Sequence, residues 1–229
     1  MDPLFAIPIA IGGGLLLWTA CSLATGRFAV ENARYNVLRS YPGFEVRSSP
    51  PHVVASLTFE SADMKAASSG AFRPLAKFIF GGNRARAGPG SESIAMTSPV
   101  QILPSAGGGA HDVSFVLPAK YTAVEQVPLP LDARVRVELV PRGFTAVRTL
   151  RATLGERMSS ARFRDESAAL LRDVAAAGLR VGAEPPKQLS YDPPWTPFFM
   201  MRNEVSVSLQ DSEGEGAGVG AGGGYAPPG

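Results

Sequence analysis

Apolar residues fall at every second position in six stretches of the chain: PGFEVRSS, PHVVASLTFE, HDVSFVL, RVRVELV, FTAVRTL and NEVSVSL. Val53, Ala55, Leu57 and Phe59 form the clearest run. A period of two turns one face of each stretch toward a core, which predicts half-buried strands. The short connections are punctuated by Pro and Gly and suit antiparallel pairing, because parallel crossovers need a helix between successive strands. Two stretches switch to helical spacing. In GAFRPLAKFIFGGN, residues Phe72, Leu75, Ala76, Ile79 and Phe80 recur at i, i+3, i+4, i+7 and i+8, and Gly81 and Gly82 supply a stop. Pro74 is then expected close to the first turn of that helix. In SSARFRDESAALLRDVAAAG, Ser159 or Ser160 caps, Phe163, Leu170, Leu171 and Val174 form the apolar stripe, and Gly178 ends the helix. Strands, helix and strands thus occur twice over. The expected architecture is α+β: a distorted antiparallel β-barrel with two helices, made of two pseudo-repeated strand-helix-strand halves whose sequences show no obvious identity.

The two ends of the chain depart from this pattern. From Leu4 to Gly26 no residue is charged, and the stretch is about long enough to cross a bilayer as a helix. Arg27 follows at once, which orients the domain toward the cytoplasmic or stromal side of a membrane. Residues 1–27 are therefore expected to be a hydrophobic signal anchor. The alternative is a signal peptide cleaved near the small residues Thr19, Ala20 and Ser22, which would leave the domain secreted or in an endomembrane lumen, but the start lacks the basic region such peptides carry. Residues 211–229, DSEGEGAGVGAGGGYAPPG, hold too little apolar area to offset the entropy of ordering them and are expected to be a disordered tail. One domain, residues 28–210, remains between them. With 229 residues, 45% of them hydrophobic, the chain can build one sizeable core. A net charge of +2, from 22 basic and 20 acidic residues, gives no electrostatic footprint for nucleic acid. Cys21 is the only cysteine and lies in the apolar segment, so the domain holds neither an internal disulfide nor a cysteine metal site.

Four strings, in order along the domain, resemble the plant-type SOUL family of haem-binding proteins. They are FAVENARYNVLRSYPGFEVRSSPP, GAFRPLAKFIFGGN, SIAMTSPV and YDPPWTPFFMMRNEV. The resemblance implies a distorted antiparallel barrel with two helices, similar to the effector-binding domains of bacterial drug-responsive regulators. It also implies non-covalent, reversible binding of haem or another tetrapyrrole.

A tetrapyrrole is a flat apolar disc with carboxylates at its edge, so its site needs an apolar wall and cations at the rim. On the first helix, Leu75, Phe78 and Ile79 are candidates for the wall, while Arg73 and Lys77, four residues apart, are candidates for the propionates. Phe198, Phe199, Met200, Met201 and Arg202 are the candidate second wall, in a loop where the family resemblance implies pocket residues. The bland alternative for both is core packing, with the two cations facing water. An axial ligand for the iron is harder to find. The resemblance places a histidine of one animal branch where this chain has Ser48, so that ligand does not carry over. His52 reads as an ordinary strand-start residue, His111 as part of a surface loop beside GGGA, and Met96 as core. No C-x-x-C-H attachment signature occurs.

No Ser-His-Asp arrangement or phosphate-cradling loop is present, and the chain is expected not to be an enzyme. Two alternatives stand beside a tetrapyrrole carrier at a membrane surface. One is a small hydrolase that uses Glu204 as a buried acid or base of raised pKa; the other is a membrane-tethered module that binds a protein partner.

Overall fold

A computed structural model describes residues 30–105, 109–150, 159–192, 196 and 201–210. The expected membrane segment and the C-terminal tail lie outside the described residues, as do Trp195, Phe198, Phe199 and Met200. No helix among the described residues is long and apolar enough to cross a membrane, a statement that does not bear on strands.

Among the described residues, the six alternating stretches and three further strands, Asn36–Tyr41, Val100–Pro104 and Lys187–Ser190, form one curled antiparallel sheet. In chain order its members are β2 (Asn36–Tyr41), β3 (Phe44–Ser49), β4 (His52–Glu60), β7 (Val100–Pro104), β8 (Ala110–Val116), β10 (Arg136–Val140), β11 (Gly143–Leu150), β12 (Lys187–Ser190) and β13 (Asn203–Ser208). The short strands β1 (Glu31–Asn32) and β6 (Thr97–Ser98) pair with each other, as do β5 (Asn83–Arg84) and β9 (Leu129–Pro130). Helix α1 spans Met64–Ile79 and α2 spans Ser160–Ala176.

Across the sheet the order is β10-β4-β8-β7-β12-β13-β11-β3-β2. Apart from β2, this order is symmetric about the β7–β12 pair. The first half runs β3, β4, α1, β7, β8 and the second β10, β11, α2, β12, β13. Each half gives its first strand to the edge of the other, so β3 pairs with β11 and β10 with β4. The expected α+β barrel with two pseudo-repeated halves is the fold observed.

Alternation decides which face meets the helices. Val53, Ala55 and Leu57 of β4, with Val113 and Phe115 of β8, share a core with Leu75, Phe78 and Ile79 of α1. Val46, Ala146, Val205 and Val207 do the same with Phe163, Leu170 and Val174 of α2. Burying a large apolar side chain contributes about 1.5–3 kcal/mol, so these two helix contacts anchor the sheet. The opposite face of the sheet is concave, and neither α1 nor α2 packs on it. One row of paired residues crosses it, from Ser56 through Ser114, Gln101, Leu189 and Glu204 to Thr149.

Helix α1 begins earlier than its apolar stripe indicates. Asp63 caps it, accepting hydrogen bonds from the backbone N–H groups of Lys65 and Ala66. Pro74 consequently sits in the helix interior and not in its first turn. Its missing N–H leaves the carbonyl of Gly70 without the usual partner. Gly70 itself is required by packing: a Cβ there would lie 2.3 Å from the Phe59 ring. The expected Gly stop holds, with Gly81 at φ +103° just beyond the cap residue Phe80.

Candidate ligand-binding cleft

The concave face encloses a cleft of about 460 Å³, within the range of roughly 300–1,000 Å³ usual for small-molecule sites. Because residues of one strand parity face it, its floor mixes polar and apolar groups: Arg47, Thr145, Val147, Lys187, Leu189 and Ser206. Tyr35, Tyr121, Tyr191 and Phe144 supply aromatic surface at its sides. The hydroxyl oxygen of Ser208, also in the lining, is buried without a hydrogen-bond partner among the described residues.

An ionic cluster centred on a buried carboxylate lies within this floor. Glu204 is 0% exposed and Arg47 3%. Arg47 donates through Nη1 to Oε2 of Glu204 at 2.7 Å and through Nη2 to Oε1 at 3.0 Å, a bidentate pair. Arg202 donates to Oε1 through Nε at 3.1 Å and Nη2 at 2.7 Å. Tyr191 and Thr149 add hydroxyl donors at 2.8 and 3.1 Å. Each guanidinium also lies over an aromatic ring: Arg47 over Tyr35 at 4.2 Å and Arg202 over Tyr191 at 4.1 Å from the centroid. Arg47 further pairs with Glu45 on its own strand.

Burial alone would push the Glu204 carboxyl up, but the hydrogen bonds and charges of Arg47 and Arg202 outweigh it and hold the group below its ordinary value. Burial lowers Arg47 in the same sense, and Glu204 more than compensates, so the guanidinium stays charged. The Tyr191 hydroxyl is pushed up, first by burial and then by the Glu204 charge, and remains a donor. Glu204 is therefore an ionised structural anion with its oxygens engaged. The raised pKa that the hydrolase reading required is absent.

A pH dependence follows from the depressed carboxyl. The stability Glu204 contributes is present above its unfolded value near about pH 4.3 and is lost as the pH falls from there through its lower folded value. Urea unfolding at about pH 7, 5, 4 and 3 should show stability dropping below about pH 4. The Glu204→Gln variant should fall less steeply, and identical slopes would remove Glu204 as a source of the acid transition.

The sequence-predicted site residues that are described do not line this cleft. Leu75, Phe78 and Ile79 are 0–1% exposed and sit in the core against the sheet. Arg73 and Lys77 are exposed on the outer side of α1. Met201 is half-buried, and Arg202 is committed to Glu204. Phe198, Phe199 and Met200 lie outside the described residues. His111 is not in a surface loop: it is buried on β8 and bonded through Nδ1 to the carbonyl of Ser61 at 2.8 Å. Met96 packs against the core as expected. His52, read as a plain strand-start residue, does open β4, but it also lines the cleft.

What sequence reasoning missed is the meeting of its own motifs. Arg47 comes from FEVR, Tyr191 from YDPPW, and Arg202 and Glu204 from MMRNEV, separated by up to 157 residues yet joined in one cluster. The available signal was Arg47 on β3 and Glu204 on β13, charged residues at positions whose alternation faces away from the helices, while Tyr191 and Arg202 lie just outside the strand ends.

A family model described as SOUL heme-binding protein matches residues 30–208. A search of curated proteins finds no match. Among solved structures, the chain is similar to the C-terminal domain of EcmrR at 10% identity, covering 73% of this chain and 96% of that one with a TM-score of 0.53. It is also similar to a hydrolase from Listeria innocua at 10% identity, covering 75% and 94% with a TM-score of 0.50. An uncharacterized conserved protein from the same organism gives 10% identity, 73% and 92% coverage and a TM-score of 0.51. At these identities the structural likenesses establish the fold alone.

Proposed function

The chain belongs to the SOUL heme-binding protein family, and from that premise we propose that it binds haem or a related tetrapyrrole non-covalently and reversibly in the concave cleft, as a carrier or buffer held at a membrane surface. The observation that carries the choice of site is the open, aromatic-lined cleft on the face where neither α1 nor α2 packs, set against an α1 whose apolar face is already buried. The residues present fit the group. Tyr35, Val140 and Tyr191, part-exposed in the lining, offer apolar surface for a macrocycle, and the unpartnered Ser208 hydroxyl offers a polar contact. Arg34 and Arg142 are exposed residues of the lining with no carboxylate partner among the described residues, which suits them to propionates. Bound haem would supply the iron; the protein binds, orients and shields it from water.

Titration of the full chain with haemin, followed by absorbance, should give a saturable spectral shift. Replacing Arg34 and Arg142 together with alanine should weaken binding roughly tenfold or more, since each charge-assisted hydrogen bond contributes about 1.5–3 kcal/mol. Replacing Arg73 and Lys77 should leave the affinity unchanged; the reverse pattern would move the site to the outer face of α1. The membrane part of the proposal rests on the uncharged stretch from Leu4 to Gly26. The full chain should float with phospholipid vesicles and a chain starting at Arg27 should not, whereas equal flotation would exclude that stretch as the tether.

A further inference from the structure

We infer that His52 is the axial ligand of a haem iron held in the concave cleft. The inference rests on the tetrapyrrole reading above and adds to it the coordination of the metal.

Haem iron brings four nitrogens of its own, so a single protein donor suffices, drawn in practice from His, Cys, Met or Tyr. Among the described residues that line the cleft there is no cysteine or methionine. The three tyrosines are committed through their hydroxyls. Tyr191 donates to Glu204, Tyr121 donates to Glu92 at 2.8 Å, and Tyr35 accepts from Arg202 at 3.3 Å. Among the described residues of the lining, His52 is the one remaining donor of these types.

Its geometry is that of a ligand held ready. His52 is the first residue of β4, and alternation puts its side chain on the same face as Val54 and Ser56, opposite the Val53, Ala55 and Leu57 that meet α1. The Nδ1 atom lies 2.9 Å from the carbonyl oxygen of Pro50. A carbonyl only accepts, so Nδ1 carries the proton, and in the neutral ring the lone pair is on Nε2. A backbone carbonyl that fixes the tautomer and ring orientation in this way is the usual second partner of metal-bound histidines. Pro50 and Pro51 restrict the backbone that carries both the carbonyl and the ring. The other histidine makes the same type of bond, from Nδ1 to the Ser61 carbonyl, but His111 does not line the cleft. The two histidines are thus an internal contrast: the same anchoring, with only one of the rings at the cavity.

The test uses the full chain, ferric haemin and metal-free protoporphyrin IX. The wild type should bind both, with a Soret band and electron paramagnetic resonance spectrum typical of nitrogen ligation in the haemin complex. His52→Ala should bind protoporphyrin IX as the wild type does, bind haemin roughly tenfold more weakly, and lose the nitrogen-ligated spectrum; added imidazole should restore it. His111→Ala should change neither spectrum. If His52→Ala folds poorly, His52→Gln, which keeps the size and polarity but is a poor iron ligand, should show the same spectral loss. An unchanged haemin spectrum in these variants would overturn His52 as the ligand while leaving tetrapyrrole binding intact. Failure of the wild type to bind either compound would overturn the tetrapyrrole reading and the ligand with it.

Discussion

Replacing Glu204 with alanine is expected to cost the fold about 3–5 kcal/mol, because it leaves the buried Arg47 guanidinium and the partly buried Arg202 guanidinium without their shared anion. Arg47 and Arg202 reach Glu204 from β3 and from the residue just before β13, and both converge on a carboxylate that is 0% exposed. In a domain of this size such a loss lowers Tm by roughly 6–20 °C. The prediction separates two views of the cluster. If Glu204 were a ligand-seeking carboxylate that the arginines merely approach, its removal would leave stability within about 1 kcal/mol, as surface substitutions do. If it is the keystone of the motif residues, the single variant is severely destabilised, while a triple variant with Met at 47 and 202 and Leu at 204 recovers much of the loss, because well-packed apolar groups can replace a buried ionic set. Urea unfolding of the three proteins at neutral pH decides the matter. Less than about 1 kcal/mol lost in the single variant would sink the keystone assignment.

The cluster also marks where sequence reading stops. The strands were legible because Val53, Ala55 and Leu57, or Val205 and Val207, keep a strict period against a one-sided core. The helices were legible from Leu75, Ile79, Leu170 and Val174, and even the duplication could be read from the order of elements. None of these signals depends on which strand pairs with which. The cleft does. Thr149, Glu204, Leu189 and Gln101 form one row only through three separate registers, and the exchange of β3 and β10 between the halves brings Arg47 beside a carboxylate 157 residues away. The start of α1 was misjudged for a local reason: from Met64 to Gly70 the helix is built largely from alanine and serine, which leave little stripe to see, although Asp63 stood as a cap. His52 reads in the sequence as an ordinary strand-start residue, and β4 does begin there, but its place in the cleft lining depends on the fold.

Phe78→Ala tests the remaining sequence-based site assignment and is expected to cost about 3–5 kcal/mol, the loss typical when a buried Phe is truncated to leave a cavity. Phe78 is among the largest fully buried side chains of the chain, at 1% exposure, and shares the core with Leu57, Phe115 and Ile79. A residue that forms the wall of a porphyrin site is solvent-facing without the ligand, so truncating it would leave the unliganded fold nearly unaffected and weaken haemin binding. A core residue behaves the other way: stability falls, and the affinity of the protein that remains folded is preserved. The two readings therefore make opposite predictions for a pair of measurements on one variant. Urea unfolding of the unliganded protein should show the loss, and haemin titration at low temperature, where the variant is still folded, should give the wild-type affinity. Phe80, one turn end later and 68% exposed, is the matched control on the same helix. Its replacement by alanine should leave stability within about 0.5 kcal/mol, so a drop in haemin affinity there, together with an undisturbed core at Phe78→Ala, would restore the outer face of α1 as the binding surface.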